Sequence, residues 1–275
     1  MKIEKLVDQI TQKKSFLCVG LDVDLEKIPK HLHEFDDPIF EFSKEIIDST
    51  YPFAIAYKPN VAFFESYGLK GWASLEKVIN YINSNYPEIF TIADAKRGDI
   101  GNTSSKYAKT FFETLNFDSI TVAPYMGKDS IEPFLEYKNK HTILLSLTSN
   151  PGSSDFQFQS DQGTPLYLSV IDKSQNWKNK DNLMYVVGAT KADLLKEIRK
   201  IVPNSFLLVP GIGAQGGNLS DVCQFGLNDN CGLIVNSSRQ IIYCDNSNDF
   251  ANKSAEICRS IQEEMSKQLT KKGII

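Results

Sequence analysis

Two acidic and two basic side chains are spaced so that they could transfer a proton and stabilise a developing charge together. Asp94 and Lys96 are two residues apart in an apolar run, so on an extended strand both side chains would lie on one face. Lys58 ends another apolar run, and Asp99 follows Lys96 by three residues. Clusters of opposite charges perturb pKa values and are typical of functional sites. A structural ion pair is the alternative interpretation of Asp94 and Lys96, since buried charges usually have a partner.

A glycine-rich segment near the C-terminus is the second candidate site. Residues 211–217 read GIGAQGG after an apolar run, and Arg239 ends the next run. The spacing differs from that of dinucleotide-binding turns. Backbone N–H groups of this segment, together with Gln215 and the Arg239 guanidinium, could hold a phosphate dianion. The alternative is a flexible connection between a strand and a helix.

Eight short apolar runs must position these side chains. Each has the length of a strand and is apolar on both faces, which is typical of parallel strands covered on both sides. The segments between the runs have apolar residues at the spacing of a helix. One of these predicted helices begins with Asp37 as N-cap and Pro38 in its first turn. The predicted strands lie near residues 16–22, 53–59, 90–96, 118–125, 141–149, 183–189, 206–212 and 232–238.

This alternation predicts an α/β fold, a single (β/α)8 TIM barrel with a parallel eight-stranded sheet, forming one domain over residues 1–275. The chemistry of such barrels gathers at the carboxyl ends of the strands, where the charged residues above are found. A doubly wound open sheet is the alternative, because periodicity alone does not close a barrel. Residues 150–162, NPGSSDFQFQSDQ, are the one long irregular stretch and are interpreted as a functional loop.

The composition excludes several classes of protein. The 275 residues include 34 acidic and 30 basic side chains, a net charge of −4, so bulk charge does not indicate a nucleic-acid partner. No apolar run is long enough to span a bilayer, and the N-terminus does not resemble a signal peptide. Five scattered cysteines indicate reduced thiols, and three histidines without a second ligand pair predict no metal site. We expect a cytoplasmic globular protein without a cofactor.

Taken together, the motifs resemble those of the orotidine 5'-phosphate decarboxylase family. The family's DxKxxDI signature stands at residues 94–100, and the other matching motifs follow in the family's order: GLD at 20–22, YKPN at 57–60, TSNPG at 148–152, PGIGAQGG at 210–217 and the arginine at 239. The resemblance covers nearly the whole chain, and the long loop and C-terminal helix are similar to those of the larger bacterial subgroup. It implies a lyase that converts orotidine 5'-monophosphate to UMP and CO2 in pyrimidine biosynthesis, without a cofactor.

The resemblance also implies a role for each matching residue. Catalysis would depend on Lys58, Asp94, Lys96 and Asp99, with Lys96 protonating C6 of the pyrimidine. The family is a homodimer in which Asp99, Ile100 and Thr103 would act in the partner's site. The implied substrate-binding residues are Asp22, Asn60, Ile100, Thr103, Ser149, Pro210, Gly211, Gln215, Ser238 and Arg239. Among them Asp22 and Thr103, with Lys58, would hold the ribose, Ser149 the pyrimidine, and Gln215 and Arg239 the phosphate.

Two other functions fit parts of the pattern. Sugar-phosphate decarboxylases and aldolases share DxKxxD but use a metal or a Schiff-base lysine, whereas TSNPG and YKPN favour a pyrimidine nucleotide. A catalytically inactive nucleotide sensor would have no use for the intact set of two lysines and two aspartates. The chain departs from the commonest family pattern at residues 236–238, Asn-Ser-Ser, where many members have a glycine before the arginine.

Overall fold

The computed structural model describes residues 1–212 and 217–275, without the side chains of Asp161 and Lys191. Within these residues, eight strands form a closed parallel barrel in which each strand neighbours the next one along the chain. The last strand closes the barrel against the first. The barrel strands are β1 (Leu17–Leu21), β2 (Ala54–Pro59), β3 (Phe90–Arg97), β4 (Ser119–Val122), β5 (His141–Leu147), β6 (Leu183–Val187), β7 (Leu207–Pro210) and β8 (Leu233–Ser237).

The strand order confirms the predicted TIM barrel, and the open-sheet alternative is wrong. Every predicted strand is present within about three residues of its expected bounds. The runs were recognisable because each barrel strand is covered on both faces, as in β1, where all five residues are buried. β1 and β2 are in parallel register with Gly20 opposite Lys58.

Helices lie between the strands, as the alternation predicts. The Asp37 side chain accepts a hydrogen bond from the Phe40 N–H at 3.1 Å and Pro38 opens the helix, which confirms the predicted cap. No helix in the described parts of the chain is both long and apolar enough to cross a membrane. The α-helices are α1 (Ile3–Lys13), α2 (Pro38–Thr50), α3 (Val61–Glu65), α4 (Gly68–Asn85), α5 (Gly101–Lys109), α6 (Glu132–Leu135), α7 (Ser153–Phe156), α8 (Leu166–Ser174), α9 (Leu195–Ile201), α10 (Leu219–Gly226), α11 (Arg239–Ile242) and α12 (Phe250–Lys272).

The stretch after β5 is more regular than the sequence analysis predicted. It contains the one-turn helix α7 and a short antiparallel hairpin that pairs Ser160–Asp161 with Thr164–Pro165. A single turn of helix and two-residue strands are too short to produce a recognisable hydrophobic period. The interpretation of residues 150–162 as an irregular loop is therefore wrong in its structural part.

The chain divides into two compact units. The first unit comprises Met1–Ala95, Leu115–Phe117 and Asn236–Ile275, and the second comprises Lys96–Thr114 and Asp118–Val235. In the first unit, the Phe42 ring stacks on the Tyr243 and Phe250 rings, with centroids 5.8 and 5.2 Å away. In the second, the Phe112 and Phe134 rings meet edge to face with centroids 6.4 Å apart. The single domain over residues 1–275 stays a prediction.

Candidate active site

A buried ion pair in the first unit joins the ends of β2 and β3. Nζ of Lys58 donates to Oδ2 of Asp94 at 2.7 Å, and only 5% and 12% of the two side chains are exposed. Asn60 forms an isolated parallel bridge with Asp94, so its backbone lies beside the pair. Burial alone would lower the pKa of Lys58, but the charges of Asp94 and Asp22 outweigh it and raise this pKa above its ordinary value. Lys58 is therefore a fixed cation at neutral pH.

Asp22 follows β1 in the same unit and has a buried carboxylate oxygen. Its Oδ1 is buried and accepts no hydrogen bond from the described residues. The Tyr243 hydroxyl fixes the backbone nearby, because it donates to the Asp22 carbonyl at 2.7 Å and accepts from the Asp24 N–H at 2.7 Å. A buried acceptor of this kind suits a sugar hydroxyl. No motif marks Tyr243, so its contact with Asp22 was not predicted from the sequence.

Lys96, in the second unit, has an unusual backbone near the end of β3. Its φ is +47°, a left-handed conformation that residues with a β-carbon rarely adopt. Its backbone N–H donates to Oγ1 of Thr121 at 2.9 Å, and the residue is exposed. The prediction that the side chains of Asp94 and Lys96 lie on one face of the strand requires extended backbone at both residues. The backbone of Lys96 is not extended, so this premise is wrong at Lys96. Thr121, buried in β4, was also missed, since its run indicates only a strand.

The segment after Lys96 packs closely against the end of β4 at Gly98 and is exposed to solvent from Ile100 to Thr103. A β-carbon on Gly98 would come within 2.8 Å of the Ala123 carbonyl oxygen, so this close approach to the end of β4 needs glycine. Oδ1 of Asp99 accepts from the Ile100 N–H at 2.7 Å. Ile100 is 58% exposed, and Thr103 is exposed in the first turn of α5. The three residues predicted to act across an interface, Asp99, Ile100 and Thr103, therefore lie at or just before the start of α5, where Ile100 and Thr103 are exposed.

Ser149 borders a cavity at the end of β5. A β-carbon on Gly188, after β6, would lie 2.8 Å from the Ser149 backbone nitrogen, so the two segments pack closely only with glycine there. Thr148, the preceding residue, is held by the side chain of Gln157. The cavity has a volume of about 430 Å³ and is lined by Ser149, Asn150, Pro151, Ser153, Ser154, Phe158 and Thr190.

The predicted phosphate-binding residues lie in both units, and Gln215 lies outside the described residues. In the second unit, Pro210 ends β7 and Gly211 has a φ of +100°. The Gly211 carbonyl accepts from the Gly217 N–H at 3.1 Å, which joins the two ends of the glycine-rich segment. In the first unit, Arg239 is exposed at the start of α11.

Ser238, which stands where many family members have glycine, packs against β1. A β-carbon on Gly20 would overlap Oγ of Ser238 and would lie 3.1 Å from Oδ1 of Asn236. Nδ2 of Asn236 donates to Oγ of Ser238 at 3.2 Å. The side chain of Ser238 therefore occupies space that is available only because residue 20 is glycine.

Comparison with known proteins decides the family. Residues 15–252 match the family model described as "Orotidine 5'-phosphate decarboxylase / HUMPS family". The chain belongs to this family. It is 65% identical over 272 residues to the orotidine 5'-phosphate decarboxylase of Flavobacterium johnsoniae, covering 99% of this chain and 100% of that protein. It is 58% identical over 271 residues to that of Christiangramia forsetii, covering 98% and 100%.

Solved structures agree with the decarboxylase family. The structure of Leishmania donovani OMP decarboxylase superposes with a TM-score of 0.82 at 35% identity, covering 96% of this chain and 98% of that chain. The resemblance read from the motifs is therefore confirmed. Within the first unit, the structure brings Lys58, Asp94 and Asn60 together. In the second unit, Lys96 and Asp99 share one segment, and Ser149 follows another strand.

Proposed function

We propose that this chain is a carboxy-lyase that converts orotidine 5'-monophosphate to UMP and CO2 in pyrimidine nucleotide biosynthesis. The observation that carries the proposal is the buried Lys58–Asp94 ion pair, whose Asp94 lies on the strand that also bears Lys96. A buried carboxylate held by a permanent cation, close in sequence to an exposed lysine, suits chemistry in which negative charge moves from a carboxylate of the substrate to a ring carbon as neutral CO2 leaves. The 65% identity to the Flavobacterium johnsoniae decarboxylase supports the same reaction.

In this mechanism Lys96 stabilises the charge and supplies the proton. The bond between C6 and the carboxylate breaks, CO2 leaves, and the electron pair stays on C6 of the pyrimidine. The Lys96 ammonium stabilises that carbanion and then donates a proton from Nζ to C6, which gives UMP. Water returns a proton to the amine. The exposure of Lys96 supports this role, since its side chain is accessible to a ligand.

Asp94 and Lys58 would prepare the site for this charge transfer. Asp94 faces the departing carboxylate and orients the Lys96 ammonium, while Lys58 neutralises Asp94. Lys58 has three N–H donors and gives one to Asp94, so the others can reach a ribose hydroxyl. Asp99 completes the set of two lysines and two aspartates.

The remaining predicted residues would bind the rest of the nucleotide. The buried Oδ1 of Asp22, which accepts no hydrogen bond from the described residues, accepts one from a ribose hydroxyl, with Asn60 nearby, and Ser149 binds the pyrimidine. Phosphate is held by the side chains of Gln215 and Arg239 and by the backbone at Pro210, Gly211 and Ser238. Binding energy from the phosphate, remote from C6, can order the reacting groups and so accelerate the reaction.

The active form would be a homodimer with a shared site. Asp99, Ile100 and Thr103 would reach the partner's substrate. The second unit exposes large apolar side chains after β3 and β4, since Ile100, Tyr125 and Met126 are 58%, 93% and 48% exposed. Exposed aromatic and methionine side chains are enriched at protein interfaces.

The proposed reaction would take place in the cytoplasm and without a cofactor. None of the five cysteines, all of which lie in the described parts of the chain, forms a disulfide, and four of them are buried, which fits a reducing compartment. Fixed charges supply the stabilisation that the reaction needs, so neither a metal nor an organic cofactor enters the proposal.

The test is UMP formation from orotidine 5'-monophosphate by the purified chain, with and without EDTA. We expect equal turnover in both conditions and loss of most turnover in Lys96→Met, which should still bind UMP. No turnover by the wild-type chain would contradict the proposal. Turnover that EDTA abolishes, or activity on a sugar phosphate alone, would favour the sugar-phosphate decarboxylase or aldolase alternative.

A further inference from the structure

The segment after β5 contains a glutamine whose side chain holds the end of that strand. Oε1 of Gln157 accepts from the Thr148 backbone N–H at 2.8 Å, and its Nε2 donates to Oγ1 of Thr148 at 2.8 Å. The Thr148 hydroxyl in turn donates to Oδ1 of Asn150 at 2.6 Å. Both the backbone and the side chain of Thr148 are thus fixed by one residue nine positions away.

The strand end needs this support because the barrel ladder stops just before it. The last residue pair between β5 and β6 is Leu147 with Val187, followed by a hydrogen bond from the Gly188 N–H to the Leu147 carbonyl at 2.9 Å. The Thr148 N–H therefore finds its acceptor in the Gln157 side chain, which takes the place of a neighbouring strand.

Gln157 is itself anchored to the core of the second unit. Its backbone N–H donates to the Ser153 carbonyl at 2.9 Å, and its carbonyl accepts from the Tyr167 N–H at 3.1 Å. Tyr167 is only 3% exposed, and its ring contacts that of Phe158 with centroids 5.6 Å apart. The glutamine therefore connects a buried part of α8 with the residue that precedes Ser149.

We propose that Gln157 is the residue that positions Ser149 for recognition of the pyrimidine ring. The inference rests on the proposed function, because it takes Ser149 as the pyrimidine contact. Gln157 would act only through Thr148 and would not touch the substrate. Its removal should therefore weaken binding of the base and leave binding of the ribose phosphate unchanged.

The experiment compares a ligand that has the base with one that lacks it. Calorimetry would measure the Kd of UMP and of ribose 5-phosphate for the wild type, Gln157→Leu and the matched control Gln159→Leu, which alters an exposed glutamine of the same segment. In Gln157→Leu we expect the Kd of UMP to rise about tenfold, as loss of a hydrogen-bonded support predicts, with an unchanged Kd for ribose 5-phosphate. Gln159→Leu should match the wild type.

A double-mutant cycle tests whether the effect passes through Ser149. Ser149→Ala with Gln157→Leu should bind UMP no more weakly than Ser149→Ala alone, because a positioning residue has no effect once its target is removed. Thr148→Val, which removes only the hydroxyl contact, provides a second variant if Gln157→Leu does not fold, and it should show the same selective loss.

The outcomes separate this inference from the proposed function. Equal weakening of both ligands in Gln157→Leu, unchanged UMP binding, or full additivity with Ser149→Ala would overturn the positioning role while the wild type still forms UMP. A wild-type chain that neither binds UMP nor decarboxylates orotidine 5'-monophosphate would instead overturn the proposed function, and the inference with it.

Discussion

Gly20 and Ser238 share one space in the first unit, because a β-carbon on Gly20 would overlap Oγ of Ser238. Gly20 lies in β1, two residues before Asp22, and Ser238 directly follows the last residue of β8. The glycine of the GLD motif and the serine before the arginine thus depend on each other. A change at either position has to be interpreted together with the other.

Gly20→Ala is expected to destabilise the fold by about 2 kcal/mol, because the added methyl group overpacks a site that has no free space. Chemical denaturation measures the free energy of unfolding. Ser238→Gly should be nearly neutral alone and should recover most of the loss when combined with Gly20→Ala. Strictly additive effects of the two substitutions would contradict the shared space.

Lys58→Met should lower the free energy of unfolding by about 3 kcal/mol, because it removes the Lys58 ammonium from the buried charge of Asp94. The double variant Lys58→Met/Asp94→Leu should recover stability but not turnover, which separates the structural role of the pair from its proposed catalytic role. Thermal denaturation and the UMP assay measure the two effects. If the double variant were as unstable as Lys58→Met, the loss of stability would not come from the buried charge of Asp94.

The pH dependence of that stability follows from the raised pKa of Lys58. A lysine whose pKa is higher in the folded state contributes its stability in full below the ordinary pKa of 10.5 and loses it only as the pH rises through the raised value. The stability difference between the wild type and Lys58→Met should therefore not fall as the pH rises from about 6 to 9. A difference that falls within this interval would contradict a raised pKa.

Tyr243→Phe should raise the KM for orotidine 5'-monophosphate several-fold, because the backbone at Asp22 and Asp24 loses the hydroxyl that bridges it. The matched control is Tyr185→Phe, which removes another buried hydroxyl, hydrogen-bonded to Ser174 and Gln175. Both variants should lose about 1 kcal/mol of stability, but only Tyr243→Phe should change KM. Equal KM values for the two variants would show that Tyr243 has no particular role at Asp22.

Mixing inactive Asp99→Ala and Lys96→Ala subunits tests the shared site. Random pairing makes half of the dimers mixed, and each mixed dimer has one site with both residues intact, so about a quarter of wild-type activity should return. Each variant alone is the control, and differently tagged subunits establish that mixed dimers form. Mixed dimers without activity would contradict an Asp99 that acts in the partner's site.

The sequence predicted the regular elements well and their side-chain contacts poorly. β1 to β8 were visible as runs that are apolar on both faces, and the start of α2 was visible because Asp37 and Pro38 act locally. The hydrogen bonds from Lys96 to Thr121 and from Tyr243 to Asp22 join residues 25 and 221 positions apart, so no local pattern reveals them. The proposed roles of the site residues came from motif resemblance and await the tests above.

The left-handed backbone conformation of Lys96 lowers the stability of the folded chain. A residue with a β-carbon at such a φ costs about 1 kcal/mol relative to glycine, which adopts it freely. Glycine at position 96 would therefore make a more stable chain with no amine at the end of β3. Selection of variants for thermal stability alone would favour losing this lysine, and under the proposed mechanism the same substitution would remove the proton donor.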